Sequence, residues 1–237
     1  MISGRGSIIG NANITLYTGP VISAPVPFPN SKFLLNAKTN AIIPSTDKTS
    51  TSTISSVGTM AVTSDATRGS VMYFDGNGSY INTNYGLPIV HTRCFWLNVS
   101  TNGFSGNNNV TVSTPTRLLW FNGGNYMYYN LNFGVLPNYG DTSNQVSTGT
   151  WYFYTFTYDG TTAKLYKNGV LDTSSTTSSS STVDNVQIGT FANNAASSAV
   201  FHGYMDNVRC YDTALTQSQI QTIYDYETAN PTSSYAI

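Results

Sequence analysis

The feature that most constrains this chain is its punctuation. From Phe33 onward, short apolar runs are cut off by Gly, Asn, Asp and Ser at a spacing of roughly 8–12 residues, which is the signature of many short strands. Phe95, Leu97 and Val99 alternate with Trp96, Asn98 and Ser100, the period-two pattern of a half-buried strand. Asn168-Gly169 stands between Leu165-Tyr166-Lys167 and Val170-Leu171, and an Asn-Gly pair supplies the positive φ angles of a tight hairpin. Asp75-Gly76-Asn77-Gly78 between residues 70–74 and 79–83 predicts a second hairpin, and Asn122-Gly123-Gly124-Asn125 joins strands at 117–121 and 126–133. Trp151 to Tyr158 is a long aromatic strand ended by Asp159-Gly160. Polar loops are expected at 44–59, 101–115 and 173–182. About a dozen short strands cannot bury their apolar faces singly, so they predict an all-β, two-sheet antiparallel sandwich.

Two segments break this pattern. Thr216-Gln217-Ser218-Gln219 reads as a capping box, with Leu215 placed to pack on Ile220. Ile220, Ile223, Tyr224 and Glu227 follow at helical spacing, and Pro231 limits the continuation, so one short C-terminal helix is expected. Residues 1–32 read as an extended N-terminal arm ahead of a single domain at 33–237. Pro25, Pro27 and Pro29 remove alternate N–H groups, while Ile8, Ile9, Ile14, Leu16, Val21, Ile22 and Phe28 make the segment apolar for a solvated tail. The arm is expected to lie on its own domain or on a neighbouring subunit.

Composition narrows the function. Charged residues are 9% of the 237, with a net charge of −1, against roughly 25% charged in an average soluble chain. A basic nucleic-acid footprint is excluded at that level. No stretch approaches the roughly 18 apolar residues of a membrane helix. Residues 1–10 hold Arg5 but no apolar core of a signal peptide, which predicts delivery by another route, such as release by lysis. Cys94 and Cys210 fall in apparent strands and read as two buried free thiols.

The catalytic inventory is thin. Glycoside hydrolysis needs two carboxylates facing each other across the scissile bond, yet Glu227 is the one Glu in the chain and most Asp stand beside turns, as in Asp75-Gly76, Gly140-Asp141 and Asp159-Gly160. His91 and His202 lie in no nucleophile elbow. No phosphate loop or zinc spacing occurs. The chain is therefore expected not to be an enzyme.

An ordered series then points to a family. It runs Gly149-x-Trp151, Tyr158-Asp159-Gly160, Leu165-Tyr166-Lys167-Asn168-Gly169 and Ile188-Gly189. It continues with Phe201-x-Gly203-x-Met205-Asp206-x-Val208, Tyr211 and Leu215-Thr216-x-x-Gln219-Ile220-x-x-Ile223-Tyr224. Over roughly residues 33–227 it resembles the laminin G-like and pentraxin-like branch of concanavalin A-like lectin domains. The resemblance implies a jelly-roll sandwich with the short helix packed on one sheet. Trp151 and Tyr166 are expected to fill the sandwich, and Asp206 to cap a loop or bond backbone amides. Pentraxin-like relatives imply calcium, but acids are missing from the corresponding stretches 189–194 and 123–126, so no cofactor is expected. Asp141 or Asp184 could bring charge from neighbouring loops. The first half, from the proline-rich lead to Ser70-Val71-Met72-Tyr73-Phe74-Asp75-Gly76, is similar to laminin G-like structural proteins of tailed phages. The leading expectation is a non-enzymatic protein of a virion surface, attached to capsid or tail proteins through the arm and open to self-association. The alternative is an extracellular carbohydrate-binding adhesin, with Trp120, Asn122, Asn125, Tyr126 and Tyr128 as the glycan-binding candidates. Against that, the same residues read more readily as sheet-facing side chains and turn formers.

Overall fold

The computed structural model describes residues 30–38, 43–45, 47–49, 51–100, 109–121, 126–131, 146–179, 182–190 and 200–233. The expected arm therefore lies outside the described residues apart from positions 30–32. The strands in chain order are β1 (Phe33–Leu35), β2 (Ile54–Val57), β3 (Ala61–Asp65), β4 (Gly69–Asp75), β5 (Tyr80–Leu87), β6 (His91–Val99), β7 (Asn109–Val110) and β8 (Val112–Ser113). They continue with β9 (Leu118–Phe121), β10 (Met127–Asn130), β11 (Trp151–Tyr158), β12 (Thr162–Lys167), β13 (Val170–Thr176), β14 (Asp184–Ile188) and β15 (His202–Tyr211), followed by α1 (Gln217–Ala229).

The strands build the antiparallel sandwich that the punctuation predicts. One layer is an eight-stranded sheet in the order β13-β12-β11-β6-β15-β4-β3, with β1 also on β15. β4 takes the start of β15 (Met72↔Met205) and β1 its end (Phe33↔Cys210), so the two share one side of that strand. The second layer has two parts, β2-β5-β14-β8 and β10-β9-β7. They meet at Thr111, between β7 and β8, whose N–H donates to Leu119 O at 2.8 Å. Phe95, Leu97 and Val99 of β6 enter the core between the layers, with Phe74, Ile81, Leu119, Phe121, Phe156 and Ile188.

Four sequence expectations change. β6 is buried along its whole length rather than on one side, because α1 covers the outer face of the large sheet. There Cys94, Trp96, Phe153, Tyr166 and Tyr211 pack with Leu215, Ile220 and Ile223, and Trp151 packs against them. Trp151 and Tyr166 thus lie under the helix and not inside the sandwich. The turn at Asp75–Gly78 is sharp, with Gly76 and Gly78 at φ 70° and 83°, but it joins no hairpin. Phe74 pairs with Gly203 while Ile81 pairs with Ile188 and Ser56, so the chain crosses from one layer to the other at this corner. The expected polar loops at 44–59, 101–115 and 173–182 contain β2, β7 with β8, and the end of β13. The Asn168-Gly169 hairpin forms as the sequence predicts, with φ of 51° and 81° and Lys167 opposite Val170.

The helix start also follows the sequence. The Thr216 side chain accepts from Gln219 N, and the Gln219 side chain accepts from Thr216 N, the reciprocal bonds of a capping box. Cys94 and Cys210 are free and buried. Cys94 faces the helix and Cys210 the core, so the β-sheet lies between them.

Candidate functional site

The outward side of the second layer is a polar surface on which Asp184 is the one charged residue of the strands. Core and outward positions alternate, so Val112, Ile81, Val186 and Ile188 point inward. Ser55, Asn82, Gln187 and Ser113 form one register row across β2, β5, β14 and β8. Where that row ends, the β5–β14 pairing slips. Asn185 pairs with Gly86 but Gln187 with Asn82, so residues 83–85 of β5 stand opposite Val186 alone. Such a bulge bends the strand and frees backbone groups. The Thr83 hydroxyl answers one of them by donating to Val186 O at 2.8 Å. The slip opens a cleft of about 290 Å³ lined by Asn82, Thr83, Pro115, Asp184, Asn185 and Gln187. That is the low end of the volumes small-ligand sites take, roughly 300–1,000 Å³.

Hydrogen bonding within the cleft fixes what it offers. Gln187 Nε2 donates to Asn82 Oδ1 at 2.8 Å, so Asn82 keeps its amino group as donor. Asp184 accepts from the Thr116 hydroxyl through Oδ2 and keeps Oδ1 as acceptor. Neighbouring Arg117 is coupled by charge to Asp184 but presents no N–H group to the cleft. Its guanidinium is fully buried and donates to the carbonyls of Leu87, Pro88 and Thr182.

The same layer carries the aromatic candidates. On β9 and β10, Leu119, Phe121, Met127 and Tyr129 fill the core, which turns Trp120 and Tyr128 outward. They are register partners and stack with ring centroids 5.8 Å apart and planes 23° from parallel. Tyr126 is half-exposed just before β10. Asn122 and Asn125, the other two candidates, lie outside the described residues. The sequence reading missed the cleft itself, because a register slip between two strands distant in sequence leaves no local mark.

Two acids elsewhere, Glu227 and Asp206, are occupied structurally. Glu227 is fully buried, accepting from Arg209 Nη2 at 2.8 Å and Nε at 3.1 Å, and from Trp96 Nε1 at 2.6 Å. Asp206 does not cap a loop as the sequence reading has it. It pairs with Lys38 at 2.6 Å and Arg68 at 2.7 Å, and the Arg68 guanidinium lies 4.1 Å over the Trp96 ring. A bulge places these groups: β15 shifts register between Asp206 and Arg209, with Asn207 at φ 47°, so both charged side chains face the helix. His91 is buried in the core end beside Phe156 and Arg93. Burial first, and the Arg93 charge second, hold its imidazole well below the usual range. Among the described residues, no three His, Cys, Asp or Glu side chains stand together. Of the stretches that matter for calcium, Thr190 is buried, while 191–194, 123–125 and Asp141 lie outside the described residues.

The comparisons agree with the antiparallel sandwich. A family model described as the concanavalin A-like lectin/glucanases superfamily, of the laminin G type, matches residues 75–221, more than half of the chain. The chain belongs to this laminin G-type family. No curated protein sequence matches it. Among solved structures, domain 4 of AbnA, a GH43 extracellular arabinanase from Geobacillus stearothermophilus in complex with arabinotriose, aligns at a TM-score of 0.64 and 19% identity. That match covers 82% of this chain and 98% of the other. The botulinum neurotoxin serotype D binding domain aligns at 0.63 and 18% identity, and the type G receptor binding domain at 0.64 and 13%. This chain covers 52% of each of those two. At these identities the shared property is the laminin G-type fold.

Proposed function

We propose that this laminin G-type domain is a non-enzymatic carbohydrate-binding module whose binding face is the outward side of the second layer. The observation that carries the reading is the pairing of an amide-lined cleft with a stacked, outward Trp120–Tyr128 pair on one layer. Sugars offer hydroxyls that amides bond in both directions and apolar ring faces that pack on aromatic rings. An arabinanase domain of the same fold, in complex with arabinotriose, supports the class of ligand. The absence of hydrolysis is argued from the acids: among the described residues the cleft has Asp184 as its one carboxylate, while Glu227 and Asp206 are locked under α1. A glycan array with the purified protein tests the reading. Specific binding that weakens in Trp120→Ala or Asn82→Ala is the expected result, and no binding to any glycan refutes it.

A second reading, attachment to a capsid or tail surface of a virus particle, draws on the apolar composition of residues 1–32. Deleting residues 1–30 is expected to abolish attachment and leave the sandwich folded; retained attachment refutes it.

A further inference from the structure

Resting on the glycan-binding reading of this face, we infer that its ligand is an uncharged glycan and that Asp184 is the residue that turns acidic glycans away. The basis is where the charges lie. The seven strands of the second layer contain no Lys or Arg, and Asp184 is their one acid. The described cations that solvent reaches sit on or beside the other layer: Lys32 and Lys48 near β1, Lys164 and Lys167 on β12. The rest are buried. Lys38, Arg68 and Arg209 are consumed under the helix, and Arg93 and Arg117 donate inward to backbone carbonyls.

A uronate, sialate or sulfate group brought to this cleft would lose water without gaining a cation. Charge-assisted bonds from Lys or Arg are the usual compensation, and an unpaired anion is costly to desolvate. Asp184 adds like-charge repulsion at the cleft wall; the buried Arg117 charge behind it offsets part of this but gives an anion no N–H to bond, since its donors go to backbone carbonyls. Hydroxyls meet the opposite situation. The Asn82 amino group donates, Asp184 Oδ1 accepts, and the exposed Asn185 amide does both. The cleft therefore rewards neutral polyols and penalises acidic ones with the same side chains.

Titration calorimetry tests this with arabino- and xylo-oligosaccharides against oligogalacturonides of equal length, at low and high NaCl. Neutral ligands are expected to bind with affinity that changes less than about twofold with salt, since no ion pair is available to screen. Oligogalacturonides are expected to bind at least about tenfold more weakly. Asp184→Asn should narrow that gap, and Asn185→Asp, at an exposed position, should widen it, so the second variant carries the test if the first misfolds. Preference for the acidic ligand, or a steep loss of affinity with salt, overturns the inference while leaving the proposed function standing. A gap that neither variant moves overturns the role of Asp184. Failure of every glycan, neutral or acidic, overturns the proposed function itself.

Discussion

Replacing Glu227 by Gln is the sharpest test of how this fold is held. The substitution keeps the shape of the side chain and removes its charge. In the native protein the carboxylate is fully buried and receives three N–H groups, two from Arg209 at 2.8 and 3.1 Å and one from Trp96 at 2.6 Å. A Gln amide accepts through one oxygen only, so its NH2 group meets either the guanidinium or the indole donor head-on. Burial is the largest influence on the Arg209 charge and works against it, and the Glu227 carboxylate is the foremost of the influences that offset it; with Gln the guanidinium stays buried without that partner charge. Breaking one partner of a buried pair costs about 3–5 kcal/mol, a large share of the roughly 5–15 kcal/mol that stabilises a domain. Urea unfolding at neutral pH should show a lower midpoint with an unchanged slope. The double variant Glu227→Gln/Arg209→Met should recover part of the loss, because it removes the stranded charge. Asp212→Asn is the control. Its pair with Lys32 spans 3.6 Å with both side chains about half exposed, and its loss should not be distinguishable from zero. A loss below about 1 kcal/mol for Glu227→Gln would refute the view that α1 is docked through a desolvated charge pair.

Four further outcomes follow from the geometry. His91 is neutral and buried in the folded state with its pKa depressed, so its contribution is present above the unfolded value near 6.5 and is lost as pH falls below it. Unfolding free energy should then drop by up to about 1.4 kcal/mol per pH unit between pH 6.5 and 5, a component that His91→Gln removes from the pH profile. Gly203→Ala should fail to accumulate as folded protein on expression, because Gly203 has φ 149° and a Cβ there would strike the Asn98 carbonyl and come within 3.1 Å of Val99 Cα. Trp120→Ala should weaken glycan binding by about two- to tenfold with little change in melting temperature, since the ring is half-exposed and its stacking is worth roughly 0.5–1.5 kcal/mol. Burial pushes the Cys94 thiol up, and the Cys210 thiol up to about 12, so both should resist a disulfide reagent at pH 8.5 until denaturant is added.

The sequence carried the elements whose cause is local. The Asn168-Gly169 hairpin and the Thr216–Gln219 cap are set by residues within a few positions of each other, and both stand in the structure as written. The turn at Asp75–Gly78 is equally local, yet its strands part company. Glycine fixes the bend but not the partner, and Phe74 and Ile81 find theirs in different layers more than a hundred residues downstream. Glu227 illustrates the same limit. Helical spacing placed it correctly on the inward face, but nothing near it in the chain announces Arg209 or Trp96. At the candidate site, the outward aromatics Trp120 and Tyr128 were readable as strand residues. The cleft beside Asn82 was not, because it exists only where β14 meets β5 out of step.

The position of β15 has a consequence for synthesis. This strand, which leaves the ribosome late, fills the middle of the large sheet between β6 on one side and β4 and β1 on the other. Until it emerges, β6 and β4 present raw edges of unpaired backbone, the surfaces most prone to mispair between nascent chains. The domain must therefore wait nearly to its end before its sheet can close, and a message cut short before residue 202 would yield two half-sheets with no seam to join them.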